Sequence, residues 1–134
     1  MTPAEAIAQT FAHCAAADID ITAAVYAQFF ATDPAAHGLM GHSDEPMRGR
    51  MLDEVLLLLM SEPTQENARA LQWEVDNHLL AYGVQPDMYE GFFKAVKDAV
   101  QGALADAWLP EHEQAWNDRI TQLHNTVLAQ AAKR

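Results

Sequence analysis

A hydrophobic stripe with helical spacing constrains this chain more than any other feature. Met47, Met51, Val55 and Leu59 recur every four residues, which places them on one face of an α-helix. Similar spacing recurs in five further segments, and glycine-bounded runs of β-branched residues, which are typical of strands, are missing. The sequence therefore predicts an all-α fold of six to eight helices, forming one domain over residues 1–134.

Local capping signals predict where several helices begin and end. Thr2 followed by Glu5 is typical of a capping box at a helix start. Asp33-Pro34 predicts the end of the second helix, because the residue before a proline is disfavoured in the helical region. Residues 35–46 are polar and predict a connection with at most one short helical turn. Gly83 predicts the end of the helix that follows the Met47–Leu59 stripe.

Charge and cysteine content exclude several functional classes. The net charge of −11 with scattered basic residues disfavours nucleic acid and anionic membrane surfaces as partners. The longest apolar run, Val55–Met60, is too short to cross a bilayer, and the N-terminus has no signal-peptide pattern. The single cysteine, Cys14, excludes an internal disulfide and favours a cytoplasmic location.

His78 is the residue with the clearest chemical potential. It shares an apolar helix face with Leu71, Val75 and Leu79, near the predicted helix end. A neutral imidazole in that position can hold a metal or a haem iron from one side. It can equally be a core histidine that is hydrogen-bonded to protein alone, and the spacing does not separate these two interpretations.

Five segments, in this order and spacing, resemble the globin family, particularly bacterial single-domain globins and the haem domain of flavohaemoglobins. The second globin helix and its exit resemble Val25-Tyr26-Ala27-Gln28-Phe29-Phe30 with Asp33-Pro34, and the start of the distal helix resembles Arg48-Gly49-Arg50-Met51-Leu52. The proximal helix and its corner resemble His78 with Tyr82-Gly83-Val84. The opening of the next helix resembles Pro86-Asp87-Met88-Tyr89, and the early part of the last helix resembles Ala115-Trp116.

The resemblance implies a globin-like fold around a haem pocket, with haem b as cofactor. His78 would be the proximal iron ligand, and Tyr26 would be a distal tyrosine whose hydroxyl donates to a bound gas. Tyr89 would contact His78 or the edge of the macrocycle. The further pocket residues that the resemblance implies are Phe30, Met40, Met47, Met51, Val84 and Phe93.

Three positions leave alternatives open. Met47 takes the distal position usually held by Gln or His, but a shift of one residue places Arg48 there. His78 stands eight residues before Pro86, whereas related bacterial globins have seven, and Met40 stands where the family has phenylalanine. The last two differences favour an alternative function, a globin-like sensory or protein-interaction domain without haem.

The function that the resemblance implies is reversible binding of O2, or of NO or CO, at an iron held by His78. Catalysis would be limited to NO dioxygenase or peroxidase-like side activity, supported by an external reductase, so we do not expect a dedicated enzyme. The last two helices are long enough to pack across a two-fold axis, which leaves a homodimer open.

Overall fold

The helices of this protein begin and end largely where local capping chemistry directs. The computed structural model describes residues 2–40, 43–61, 64–82 and 84–133, of which 79–82 are described by their backbone alone. Within these ranges there are seven α-helices and no strand, which confirms the all-α prediction. They are α1 (Pro3–Ala16), α2 (Thr22–Thr32), α3 (Pro34–Met40), α4 (Glu45–Met60), α5 (Gln65–Tyr82), α6 (Pro86–Leu104) and α7 (Pro110–Ala131), with a 3₁₀ turn at Ala105–Ala107.

The predicted capping box is present at the start of α1. The Glu5 backbone N–H donates to Thr2 Oγ1 at 3.1 Å, and the Thr2 N–H donates to the Glu5 carboxylate at 3.2 Å. These bonds satisfy two of the N–H groups that a helix start leaves without partners. Thr64 caps α5 in the same manner, because its Oγ1 accepts from the Asn67 N–H at 3.2 Å.

The segment between α2 and α4 is more helical than predicted. Asp33 ends α2 as expected, but its carboxylate also accepts from the Ala36 N–H at 3.2 Å and so starts α3 at once. Asp44 caps α4 through the Met47 N–H at 2.9 Å, and Pro46 lies in the first turn of α4, where the missing proline N–H is not needed. Gly83, predicted to end α5, lies outside the described residues.

The core forms around α6 and α7. Helix α7 packs against α1, α5 and α6, while α6 also packs against α1 and α2, and α4 lies against α1 and α2. One apolar face of α7 is buried, with Trp116 and Val127 fully enclosed; it consists of Trp116, Ile120, Leu123 and Val127. Buried residues from all seven helices belong to one hydrophobic cluster.

A polar contact deep in this core joins the two ends of the chain. Trp116 Nε1 donates to Thr10 Oγ1 at 3.2 Å, and both side chains are fully buried. The Thr10 hydroxyl in turn donates to the Ile7 carbonyl at 2.6 Å. An indole N–H buried in a core requires such an acceptor, so this contact aligns α1 with α7.

Candidate functional site

His78 and Tyr89 meet at the junction of α5 and α6. His78 lies in the last turns of α5 and Tyr89 in the first turn of α6, and the Tyr89 hydroxyl is 2.6 Å from His78 Nδ1. Both side chains are half-buried. Burial raises the pKa of Tyr89 far above its usual range, and the negative charge of Glu74 raises it further. The hydroxyl therefore keeps its hydrogen at neutral pH and holds the imidazole through a short hydrogen bond.

Glu74 completes this cluster, which we call the α5–α6 cluster: Glu74, His78 and Tyr89. Its carboxylate Oε2 lies 3.5 Å from His78 Nε2, one helical turn away on α5. Its backbone carbonyl lies 3.4 Å from the Tyr89 hydroxyl and is a second acceptor within reach of it. Both imidazole nitrogens therefore have oxygen neighbours, Nδ1 on the α6 side and Nε2 on α5 itself.

A second polar contact joins α2 to the start of α4. The hydroxyl of Tyr26, a buried residue, donates to the Arg48 carbonyl at 2.9 Å. The Arg48 guanidinium lies over two rings, 5.5 Å from the centre of Tyr26 and 5.1 Å from that of Phe30. Its Nε also donates to Ser43 Oγ at 2.9 Å. Burial raises the pKa of Tyr26 to about 12, against a smaller lowering by the Arg48 charge.

The first turns of α6 bring these two regions together. Tyr89 and Phe92 are three residues apart on α6 and therefore share a face. Tyr89 contacts His78, and the Phe92 ring lies 5.5 Å from the Tyr26 ring and 5.0 Å from Phe29, in edge-on geometry. The residues predicted for the two sides of a pocket thus flank one aromatic face of α6.

The other predicted pocket residues differ in exposure. Phe93 is fully buried and packs against Tyr89, with ring centres 6.4 Å apart. Met47 is 40% exposed, in the first turn of α4. Four more are half-buried, and Val84 additionally donates its backbone N–H to the His78 carbonyl at 3.4 Å. These four are Phe30, Met40, Met51 and Val84.

Sequence reasoning missed three buried or site-forming polar residues. Glu74 was detectable, because a residue four before His78 shares its helix face. His112, which the sequence analysis did not single out, is buried; its Nδ1 accepts from the Leu109 N–H at 3.0 Å and its ring lies near Trp108.

Arg119 is also buried, at the end of α4 rather than in solvent. It donates to the Leu58 carbonyl at 3.0 Å and to Ser61 Oγ at 2.9 Å. These partners lie about 60 positions earlier in the chain, so no sequence pattern near Arg119 signals them. The guanidinium anchors the C-terminal end of α4 to α7.

No family model matches the sequence, and the search of curated proteins found no similar one. In the part of the chain that the structure describes, there is no cluster of three or more His, Cys, Asp or Glu side chains able to hold a metal ion. None of the described helices combines the length and apolarity needed to cross a membrane.

Proposed function

We propose that this protein is a globin-like haem protein that reversibly binds O2, or another diatomic gas such as NO or CO. His78 is the proposed axial ligand of haem b. The observation that carries the proposal is the 2.6 Å contact between Tyr89 and His78 Nδ1. A protein that uses a histidine as a metal ligand commonly engages the other ring nitrogen, which fixes the orientation of the ring.

The donor set suits haem better than a bare ion. A structural zinc site needs four protein ligands and a catalytic one three, and the described residues offer no such group. Haem brings four nitrogen ligands in its macrocycle and needs one protein nitrogen, as in globins. Nε2 of His78 is the nitrogen on the ring side away from Tyr89.

The surroundings also suit a flat apolar cofactor. Apolar side chains on α2, α3, α4 and α6 are half-buried, and several of them pack against the core. In the described ranges, α4 and α5 follow one another in the chain but are not among the closely packed helix pairs. A cofactor between a distal and a proximal helix would require that these two helices are not closely packed.

The bound iron would supply the gas-binding position, while the protein's residues orient and enclose it. Tyr89 fixes the His78 ring through Nδ1, and the hydrogen bond from the Val84 N–H to the His78 carbonyl holds the C-terminal end of α5. Phe30 and Met51 would provide apolar walls that limit water. Arg48, whose charge lies over the Tyr26 and Phe30 rings, would be on the distal side and would pair with a propionate.

A globin-like domain that works without haem, as a sensory or protein-interaction module, is the second candidate. It is favoured by contacts that already engage the polar groups of the proposed pocket. Tyr26 donates to the Arg48 carbonyl, and Glu74 lies at His78 Nε2. In this candidate the α5–α6 cluster serves only to fasten α5 to α6.

A visible spectrum separates the two candidates. The protein is purified with haem supplied, and we expect a Soret band that shifts when CO is added. His78→Ala should abolish this band, while His13→Ala, at an exposed position on α1, should leave it unchanged. A wild-type protein that keeps its fold by circular dichroism but retains no haem would refute the proposed function.

A further inference from the structure

The position of Glu74 suggests that the proposed haem ligand is restrained from within its own helix. Glu74 Oε2 lies 3.5 Å from His78 Nε2, the nitrogen that the proposed function assigns to iron. The side chains of His78 and Glu74 are 33% and 40% exposed, respectively. The carboxylate therefore has room to turn into solvent, but in this structure it faces the ligating nitrogen.

A neutral imidazole carries one N–H hydrogen, either on Nε2 or on Nδ1. The two tautomers interact differently with Glu74 and Tyr89. With the hydrogen on Nε2, the N–H group lies beside the Glu74 carboxylate, with Nε2 3.5 Å from Oε2, and Nδ1 accepts from the Tyr89 hydroxyl. With the hydrogen on Nδ1, it is donated to the Tyr89 oxygen, and Nε2 presents a lone pair. Only the second form can bind a metal through Nε2.

Tyr89 is placed to serve both forms. Its oxygen lies 2.6 Å from Nδ1 and 3.4 Å from the Glu74 backbone carbonyl. In the first form its hydrogen goes to Nδ1, and in the second it goes to that carbonyl. Tyr89 therefore keeps its hydrogen bonded in either form and does not by itself select one.

The Glu74 carboxylate does select between them. An ionised carboxylate is an acceptor only, so it attracts an N–H at Nε2 and repels a lone pair there. We propose that Glu74 holds His78 in the non-ligating tautomer and so regulates haem loading, which proceeds when the carboxylate turns away from Nε2.

This inference rests on the proposed function, because it concerns the nitrogen that would bind iron. The imidazole keeps one hydrogen throughout: Nε2 releases its proton to water, and Nδ1 takes one from water. The hydroxyl hydrogen of Tyr89 stays on its oxygen and changes only its acceptor.

The test is a haemin titration of the haem-free protein and its Glu74→Ala variant. Contacts between partly exposed charged groups are modest, so we expect Glu74→Ala to bind haemin about two- to five-fold more tightly. Glu66→Ala is the matched control, because it makes the same substitution at an exposed position in the first turn of α5. Its haemin affinity should equal that of the wild type.

A second measurement reads the tautomer without haem. ¹⁵N NMR of the His78 ring, at a pH where the imidazole is neutral, should show the hydrogen mainly on Nε2 in the wild type and a shift towards Nδ1 in Glu74→Ala. A wild-type His78 with its hydrogen on Nδ1 would overturn the inference.

The two proposals fail in different ways. Equal haemin affinities for the wild type and Glu74→Ala overturn the regulatory role of Glu74 and leave the proposed function intact. If neither protein binds haemin, the proposed function fails and the regulatory role fails with it. Tighter binding in Glu74→Ala, with the tautomer shift, supports both.

Discussion

Replacing Tyr26 with phenylalanine tests the contact between α2 and α4 and its consequence for gas binding. The change removes only the hydroxyl that donates to the Arg48 carbonyl at 2.9 Å. The ring remains, together with its edge-on contact with Phe92. The effect of Tyr26→Phe therefore measures one buried hydrogen bond between two helices.

The magnitude follows from the burial and geometry of this bond. A typical intramolecular hydrogen bond contributes about 1 kcal/mol to the free energy of unfolding. Globular proteins unfold with an entropy of roughly 2.1 cal/mol/K per residue, which is about 0.28 kcal/mol/K for a chain of this length. Tyr26→Phe should therefore lower the Tm of the haem-free protein by about 3–4 °C.

The same bond limits what Tyr26 can do for a bound gas. A hydroxyl that donates to a gas ligand stabilises it by about 1–2 kcal/mol, which is about five- to thirty-fold in retention. Here the hydroxyl must first leave the Arg48 carbonyl, at a cost of about 1 kcal/mol. The net gain is thus about 1 kcal/mol or less, and O2 should dissociate from haem-loaded Tyr26→Phe at most about five-fold faster.

Urea unfolding of the haem-free protein and stopped-flow O2 dissociation from the haem-loaded protein measure the two effects. Arg48→Gln is the control background, because it keeps the backbone carbonyl and removes the guanidinium, so the cost of Tyr26→Phe should persist in it. An unchanged free energy of unfolding would show that the hydrogen bond contributes nothing. Dissociation more than ten-fold faster would show that the hydroxyl gives up no competing bond.

Two further predictions concern stability. Thr10→Val should leave the Trp116 indole N–H buried without its acceptor and lower the free energy of unfolding by about 1–3 kcal/mol. Urea unfolding should show that Thr10→Val costs less in a Trp116→Phe background, because the indole N–H is then absent. Equal costs in the two backgrounds would contradict an energetic coupling between Thr10 and Trp116. The hydrogen bond from Lys97 lowers the pKa of Glu113 below its usual range. This carboxylate therefore adds stability that is fully present above about pH 4.5 and is lost as the pH falls through its folded pKa. In urea titrations from pH 6 to 3, Glu113→Gln should lose less stability than the wild type, and identical slopes would refute this.

Helix boundaries were predictable where both partners of a capping bond lie within one turn. The capping box at Thr2 and the stop at Asp33 depend on neighbours at most three residues away, so a linear pattern contains the whole interaction. The same logic failed at Asp33 and Asp44, where one carboxylate can end a helix, start another, or do both. Residues 35–46 were therefore predicted as a connection, although they contain most of α3 and the start of α4.

The site was only partly predictable. The resemblance to globins anticipated a contact between Tyr89 and His78, and the structure has this contact. The engagement of the Tyr26 hydroxyl by the Arg48 carbonyl was not foreseen, because its partner is a backbone atom on another helix. Haem binding, the gas and the pocket roles of these residues stay predictions.

By itself, the sequence determined that this chain is helical, where several helices begin or end, and that their apolar residues lie on one face. These properties arise from interactions between residues at most four apart, which every helix makes for itself. Only the tertiary structure decided which polar groups meet: Arg119 with the end of α4, Trp116 with Thr10, and Tyr26 with Arg48. Such pairings depend on how buried faces pack, because a polar group that loses water must take the partner that packing provides.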